Sequence, residues 1–349
     1  MNKDDKKEND MTKARLGSTN LEVNKDAFGA LPLQRVPLDE AVKILRKALD
    51  GGINFFDTAR GYSDSEEKIG AALSSRRAEF IIATKTHAQN SADLKKELET
   101  SLEKLKTSYI DIYQFHNPSF VPMPGDASGL YDAALEAKAQ GKIRFIGMSN
   151  HKLPLTKEAA ECGLYDTLQF PFNYLSTDEE IGLTRLCADK NVGFIAMKAL
   201  SGGLLDDIFT AHAWMDQYAN VVPIWGIQRE SELDELLEAV KHKGDLTAKQ
   251  RERIEKDRSE LGGEFCRGCG YCQPCPAGIP INMAARLKLL MERSPTARFV
   301  TPEWQSTMSR IDNCQHCGHC TSHCPYGLDT PALLEKNYRW YKEYLQLNV

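Results

Sequence analysis

The stretch Gly52-Ile53-Asn54-Phe55-Phe56-Asp57-Thr58-Ala59-Arg60-Gly61-Tyr62 is a short apolar run that stops at an acid, small residues and a tyrosine, before a helical pattern opens near residue 65. A buried parallel strand has this continuous apolar character, and in such folds function collects where the strands end at their carboxyl side. Asp57 and Tyr62 stand at that end. Taken alone, the stretch reads equally well as a strand, a turn and a solvated acid, so its meaning depends on the strands around it.

Working outward, Ala27-Phe28-Gly29-Ala30-Leu31 is an earlier apolar run, and Leu38, Ala41, Val42, Leu45 and Leu49 follow it at helical spacing. Downstream come a helix near residues 65 to 74, a strand at 80–84, and a helix carrying Leu94, Leu98, Leu102 and Leu105. Further strands are expected at 109–115, 143–148, 167–170, 192–196 and 221–225, giving eight in all with helices between them. Repeated βα units demand parallel strands with right-handed crossovers, and eight of them close into a (β/α)8 TIM barrel. An open doubly wound sheet is the alternative. It would want a Gly-x-Gly-x-x-Gly turn after the first strand, which Phe28-Gly29-Ala30-Leu31-Pro32 does not supply.

Residues just past each strand converge on the barrel mouth. The second strand brings Asp57 and Tyr62, the third Lys85 and the fourth His116. A tyrosine hydroxyl has a reference pKa of about 10, and a nearby ammonium favours its anion, moving it toward the range where a general acid works. In that arrangement Asp57 holds Lys85 charged and in place, and His116 orients a carbonyl oxygen. Each residue has a plainer explanation: Asp57 with Lys85 as a structural ion pair, His116 as a satisfied strand-end histidine. Four such residues at three adjacent strand ends favour chemistry over coincidence.

On these residues the sequence resembles the aldo-keto reductases, over about residues 13 to 240. Asp57-Thr58-Ala59-Arg60-Gly61-Tyr62-Ser63-Asp64-Ser65-Glu66 is similar to that family's Asp-Thr-Ala-x-x-Tyr-Gly-x-Ser-Glu, with Ser63 where glycine is usual. Ala83-Thr84-Lys85 and Ile112-Tyr113-Gln114-Phe115-His116 resemble its lysine and histidine segments. The resemblance implies a catalytic tetrad of Asp57, Tyr62, Lys85 and His116, and NAD(P)H as cofactor. It places the nicotinamide carboxamide on Ser149, Asn150 and Gln169, with Tyr174 stacking on the ring and Phe172 competing for that role. It also assigns Lys198, Leu200 and Gly202, within Met197-Lys198-Ala199-Leu200-Ser201-Gly202-Gly203, to the pyrophosphate, where a small-residue turn can offer backbone N–H groups.

Gly226, Arg229, Glu232 and Glu235, after the eighth strand, resemble the family's adenosine-binding loop and helix, and Ser231 with Asp234 fits a capping box. The sequence departs from the family here. Members preferring NADPH place a lysine and an arginine on the 2′-phosphate, and those positions are Gly226 and Glu232 in this chain. An acid there suits a free ribose hydroxyl, so NADH is expected to serve at least as well.

The 349 residues suit a barrel and a small appendage, and the expected division is a polar disordered tail over 1–12, the barrel over 13–260, and a second domain over 261–349. A net charge of −5 with no basic cluster argues against nucleic acid, and no apolar run is long enough to span a membrane. Eight of the ten cysteines fall in two runs, Cys266-x2-Cys269-x2-Cys272-x2-Cys275-Pro276 and Cys314-x2-Cys317-x2-Cys320-x3-Cys324-Pro325. The second matches the bacterial iron–sulfur run, whose first three cysteines hold one [4Fe–4S] cluster while the fourth serves the other. Two runs imply two clusters. Zinc would leave the third cysteine of each run and both Cys-Pro endings unexplained. The shorter last gap of the first run makes Cys275 the least regular of the ligands. Helical patterns at 282–291 and 302–311 give the module the look of a small, mostly α-helical ferredoxin-like domain.

The overall expectation is an α/β oxidoreductase moving a hydride between NAD(P)H and a small-molecule carbonyl or alcohol. Two [4Fe–4S] clusters serve electron transfer or structural support, and an external carrier such as a ferredoxin or flavodoxin is the conceivable protein partner. The alternative is an iron–sulfur electron-transfer or redox-sensing protein that uses the barrel to bind nucleotide or dock a partner. The opening residues carry no export signal and the cysteine spacing suits ligation, so a cytoplasmic location is expected. Phe120, Met123 and Tyr131 are the candidate substrate walls.

Overall fold

Most residues on both faces of the barrel strands are buried in the computed structural model, which is why these strands read in the sequence as short, largely apolar runs. The structure describes residues 11–261, 265–293 and 295–348; of the tail expected over 1–12, residues 1–10 lie outside the described residues, as does the Gly262-Gly263 boundary, while Met11 is buried and Thr12 O accepts from Lys25 N at 2.7 Å. These residues divide into two units, one ending at Ala199 and resuming over Ile208–Thr247, the other comprising Leu200–Asp207 and the chain from Ala248 onward.

The first unit opens with an antiparallel hairpin, β1 (Lys13–Arg15) and β2 (Glu22–Asn24), which the sequence reading missed. Then come β3 (Ala27–Gly29), β4 (Phe55–Asp57), β5 (Ile81–Thr86), β6 (Ile110–His116), β7 (Ile143–Ser149), β8 (Thr167–Pro171), β9 (Gly193–Met197) and β10 (Val221–Gly226). All eight pair in parallel and in chain order, and β10 returns to β3 to close the barrel. Helices α1 (Leu38–Asp50), α2 (Ser65–Leu73), α3 (Ser91–Leu105), α4 (Leu130–Ala139), α5 (Leu153–Glu161), α6 (Asp178–Asp189) and α7 (Ile208–Asp216) connect successive strands, and α8 (Glu230–Ala239) follows β10. The helices form because their apolar residues recur on one stripe: α1 buries Ala41, Ile44, Leu45, Ala48 and Leu49 and sets Asp39 and Glu40 in its first turn, where the helix dipole favours acids.

Inside the barrel the strand period of two sorts the side chains by height. Toward the amino ends Ala27, Phe55, Ala83, Ile112, Ile195 and Val222 form an apolar core, and Ala14, Leu16, Leu21 and Val23 of the hairpin region join it. Two or four residues further along the same inward faces stand Asp57, Lys85, Gln114, His116, Ser149 and Gln169, so the apolar floor gives way to a polar ring at the carboxyl ends. One glycine is needed for this packing. A Cβ on Gly147 would come within 2.4 Å of Thr167 Oγ1 and 2.9 Å of Gln114 Cγ.

The second unit contains α9 (Ala248–Leu261), α10 (Ile281–Ala284), α11 (Leu287–Arg293), α12 (Pro302–Ser309), α13 (His319–Ser322) and α14 (Thr330–Asn348). Helix α9, which the sequence reading ran with the barrel to residue 260, belongs with this unit, as does the segment 200–207. Buried Asp257 on α9 accepts from Arg293 Nη1 at 2.8 Å and from Arg253 Nε at 3.0 Å. The helix expected over 282–291 is two helices, because the Arg286 guanidinium turns back to bond Asn282 O at 3.0 Å and Gly202 O at 3.1 Å. Asn337 pins α14 to this corner, donating to Ala285 O and accepting from Lys288 N.

Candidate active site

Strand ends β4, β5 and β6 bring three of the four expected tetrad residues into the polar ring, and the turn after β4 brings Tyr62. Lys85 Nζ donates to Asp57 Oδ1 at 2.6 Å and to Thr58 O at 2.7 Å, with both charged side chains fully buried. The other side of Asp57 is held by amides: Gln114 Nε2 lies 3.3 Å from Oδ2, Gln169 Nε2 lies 3.4 Å from Oδ1, and Gln114 also donates to Gln169 Oε1 at 3.0 Å. Burial raises the Asp57 pKa and lowers that of Lys85, and their mutual attraction opposes both shifts. The pair is stable only because each charge finds its partner and further hydrogen bonds.

Half-buried Tyr62 lies with Lys85 Nζ 5.3 Å from its ring centroid and with its ring edge-on to His116 at 5.7 Å. His116 is half-buried, and its Nδ1, which is itself buried, has no hydrogen-bond partner among the described residues. Burial, followed by the positive neighbours His87, Lys85 and His151, holds His116 well below the ordinary histidine range, so its ring is neutral. A neutral imidazole, an ammonium and a phenol around one spot can hydrogen-bond a developing alkoxide and supply a proton.

The sequence reading gave no role to two members of this constellation. Gln114 was legible in principle, since it lies two residues before His116 and shares its inward face. His87, just past the end of β5, stacks on His116 with ring centroids 4.0 Å apart and planes 23° apart. It has no sequence signal of its own.

The residues expected to meet the nucleotide fall into three groups. Ser149, Asn150 and Gln169 are buried at the ends of β7 and β8, with Ser149 Oγ 3.5 Å from Phe115 O and Asn150 Nδ2 donating to Pro118 O at 2.9 Å. Tyr174 and Phe172 are both fully buried, Phe172 packed among Phe194, Trp214 and Tyr218. Lys198, Ser201, Gly202 and Gly203 all have positive φ, a backbone that can turn N–H groups outward; Lys198 lies in the first unit, Leu200 and Gly202 in the second.

The third group lies on and before α8. The helix is capped not by Ser231 and Asp234 but by Glu232, whose carboxylate accepts from Gln228 N at 2.9 Å and Arg229 N at 3.1 Å. The reason is the start point: Arg229 is the last extended residue, which makes Glu232 the third helical position, and Asp234 pairs with Lys47 at 2.7 Å. Arg229 is itself held by Glu232 at 2.6 Å, while Gly226 and Glu235 are exposed. Tyr131, one candidate substrate wall, is instead a core residue, packed on Phe115 and Tyr165 with its hydroxyl on Leu164 O.

In the second unit a pocket is lined by Cys275, Cys314, Cys317 and Cys320, with Ile279, Ile281, Pro331 and Leu334 as apolar walls. It joins the last cysteine of the first run to the first three of the second. Cys266 feels Cys269 and Cys324, and Cys272 feels Cys266, Cys269 and Cys320. Burial raises the Cys266 and Cys320 thiols and pushes Cys272 up to about 12, a cost that metal ligation offsets. Four cysteines around one pocket are the donor set of a [4Fe–4S] cluster, and the residues fit that group.

A closed parallel (β/α)8 barrel with its polar ring at the strand carboxyl ends is the architecture of a TIM-barrel protein. The chain belongs to the aldo/keto reductase family, whose model matches residues 25–212. Residues 265–329 match the model of a 4Fe-4S dicluster domain. An L-galactose dehydrogenase of Arabidopsis thaliana is 33% identical over 211 residues, covering 55% of this chain and 66% of that protein, so the chain spans less than two thirds of this relative. An NADH-specific methylglyoxal reductase of Escherichia coli is 28% identical over 253 residues, covering 64% of this chain and 77% of that protein. Among solved structures, an aldo-keto reductase of Bacillus halodurans in its holo form superposes with a TM-score of 0.62 at 24% identity, covering 71% of this chain and 96% of that one.

Proposed function

We propose that the protein reduces a small carbonyl compound, or oxidises the corresponding alcohol, with Asp57, Tyr62, Lys85 and His116 as its catalytic residues. The observation that carries this reading is the buried Lys85–Asp57 contact of 2.6 Å beside the Tyr62 ring and the neutral His116. A bound nicotinamide would supply the hydride, with Ser149, Asn150 and Gln169 holding its carboxamide, Tyr174 against its ring, and Lys198, Leu200 and Gly202 at its pyrophosphate. Tyr62 gives the proton to the carbonyl oxygen, Lys85 stabilises the phenolate that remains, Asp57 fixes Lys85, and His116 orients the oxygen by hydrogen bond.

The adenosine end is assigned to Gly226, Arg229, Glu232 and Glu235. Because Glu232 both caps α8 and neutralises Arg229, NADH is the favoured cofactor. The substrates named for two relatives, L-galactose and methylglyoxal, carry an oxygen on the carbon next to the carbonyl, and that is the substrate class favoured here. Cys266, Cys269, Cys272 and Cys324 would hold one [4Fe–4S] group, and Cys275, Cys314, Cys317 and Cys320 a second, each supplying one-electron transfer. Exposed Cys317 supports the second as the one open to a carrier such as a ferredoxin or flavodoxin. No helix among the described residues is long and apolar enough to cross a membrane, and the eight thiols suit a reducing cytoplasm.

The test is carbonyl-dependent oxidation of NADH by anaerobically purified protein. Tyr62→Phe is expected to reduce turnover by roughly 10²- to 10⁴-fold, the usual loss of a general acid–base group. Unchanged turnover on a substrate whose chemical step limits the rate would remove Tyr62 from that role.

A further inference from the structure

His87 lies beside the tetrad, and nothing in the proposed hydride transfer uses it. Its ring covers one face of His116, yet the residue remains exposed. Its backbone is fixed from both sides: His87 N donates to Glu97 Oε2 at 3.1 Å, Thr86 Oγ1 donates to the same oxygen at 2.5 Å, and Ala88 N donates to Thr86 Oγ1 at 3.0 Å. The ring's Cδ2–Nε2 edge lies against Gly61, where a Cβ would come within 2.9 Å of both atoms. The glycine immediately before Tyr62 therefore leaves room for this imidazole at the mouth of the site.

We propose that His87 is the recognition residue for a second substrate oxygen, and that the protein selects 2-oxo and 2-hydroxy carbonyl compounds through it. The proposal rests on the reading of the tetrad given above. Two nearly parallel imidazoles with centroids 4.0 Å apart are separated by a distance comparable to that between oxygens on adjacent carbons. An oxygen at the reacting carbon meets His116 and Tyr62, and the oxygen on the next carbon meets His87. An imidazole suits either kind, because its neutral ring has one donor and one acceptor nitrogen and serves a carbonyl or a hydroxyl. Fixed backbone on both sides keeps the ring in place without substrate, so little ordering is lost on binding.

The experiment compares kcat/KM for methylglyoxal and for isobutyraldehyde, which has similar size but no second oxygen, in holoenzyme and variants whose circular dichroism matches the wild type. His87→Phe keeps an aromatic ring on His116 and removes the hydrogen bond; the methylglyoxal-to-isobutyraldehyde ratio is expected to fall about tenfold, the worth of one such bond. Gly61→Ala, which crowds the Cδ2–Nε2 edge, is expected to lower the ratio in the same direction. The ratio matters more than either rate, since it cancels general damage to the site and the different reactivity of the two aldehydes. A ratio unchanged in both variants overturns the proposal while leaving the tetrad reading intact. If the wild type reduces neither aldehyde nor any other carbonyl, the tetrad reading fails, and this proposal fails with it.

Discussion

His116 is the residue whose behaviour follows most directly from its surroundings. The barrel wall desolvates its ring, and the groups that press on it, His87, Lys85 and His151, are all basic, so each disfavours the imidazolium. Its folded-state pKa lies below that of the unfolded chain, about 6.5. At a pH between those two values the unfolded chain binds a proton that the folded one does not. The stabilising contribution is therefore complete above about pH 6.5 and is lost as the pH falls below it. His87 is shifted the same way, by burial first, with Glu97 opposing and Lys85 assisting. The melting midpoint of the wild type is expected to fall between about pH 7 and about pH 5, and His116→Gln to show a shallower fall. Equal slopes in thermal melts across that range would mean that His116 takes up its proton without opposition.

At the scale of elements, β4, β5 and β6 position Asp57, Lys85 and His116, and α8 carries the residues proposed for the adenosine end. The Glu232 carboxylate is committed to the backbone at the start of α8 and to Arg229. Glu232→Ala frees the guanidinium, and the ratio of NADPH to NADH efficiency is expected to rise; a falling or constant ratio in paired steady-state assays would mean Arg229 does not reach the 2′-phosphate. The eight barrel strands were legible because each is a short apolar run bounded by turn residues, as at Phe55–Asp57 and Ile143–Ser149. The β1–β2 hairpin was not, because its short strands, Lys-Ala-Arg and Glu-Val-Asn, carry exposed charged residues and form no apolar run. Helix α8 was displaced in the reading because Ser231 and Glu232 both make acceptable caps, and only the extended backbone of Arg229 chooses between them. His87 escaped notice since its importance lies in a stack with a residue 29 positions away. The break at Ala285-Arg286 was equally invisible, because it depends on the Arg286 bond to Gly202, 84 residues earlier in sequence.

For the molecule as a whole, the questions are how many clusters it holds and whether hydride transfer depends on them. The cysteine spacing alone left Cys275 irregular, and one pocket is lined by it together with Cys314, Cys317 and Cys320, the set proposed for the second cluster. Anaerobically reconstituted protein is expected to carry about eight irons and eight sulfides, as two [4Fe–4S] groups require, and Cys275→Ala with Cys317→Ala to retain about four. A double variant that keeps all its iron would place those two cysteines outside the ligand set. Hydride transfer itself needs a cofactor correctly held against the tetrad, which residues of the barrel mouth are arranged to do. The most direct measurement of that claim is isotopic. Anaerobic holoenzyme is given NADH deuterated at the transferring position of the nicotinamide, with each face labelled in turn, together with an aldehyde, and the alcohol formed is analysed by mass spectrometry and NMR. The account predicts one deuterium per turnover on the former carbonyl carbon, from one face only. Alcohol without deuterium at that carbon would contradict it, because the electrons would then have travelled separately from the hydrogen.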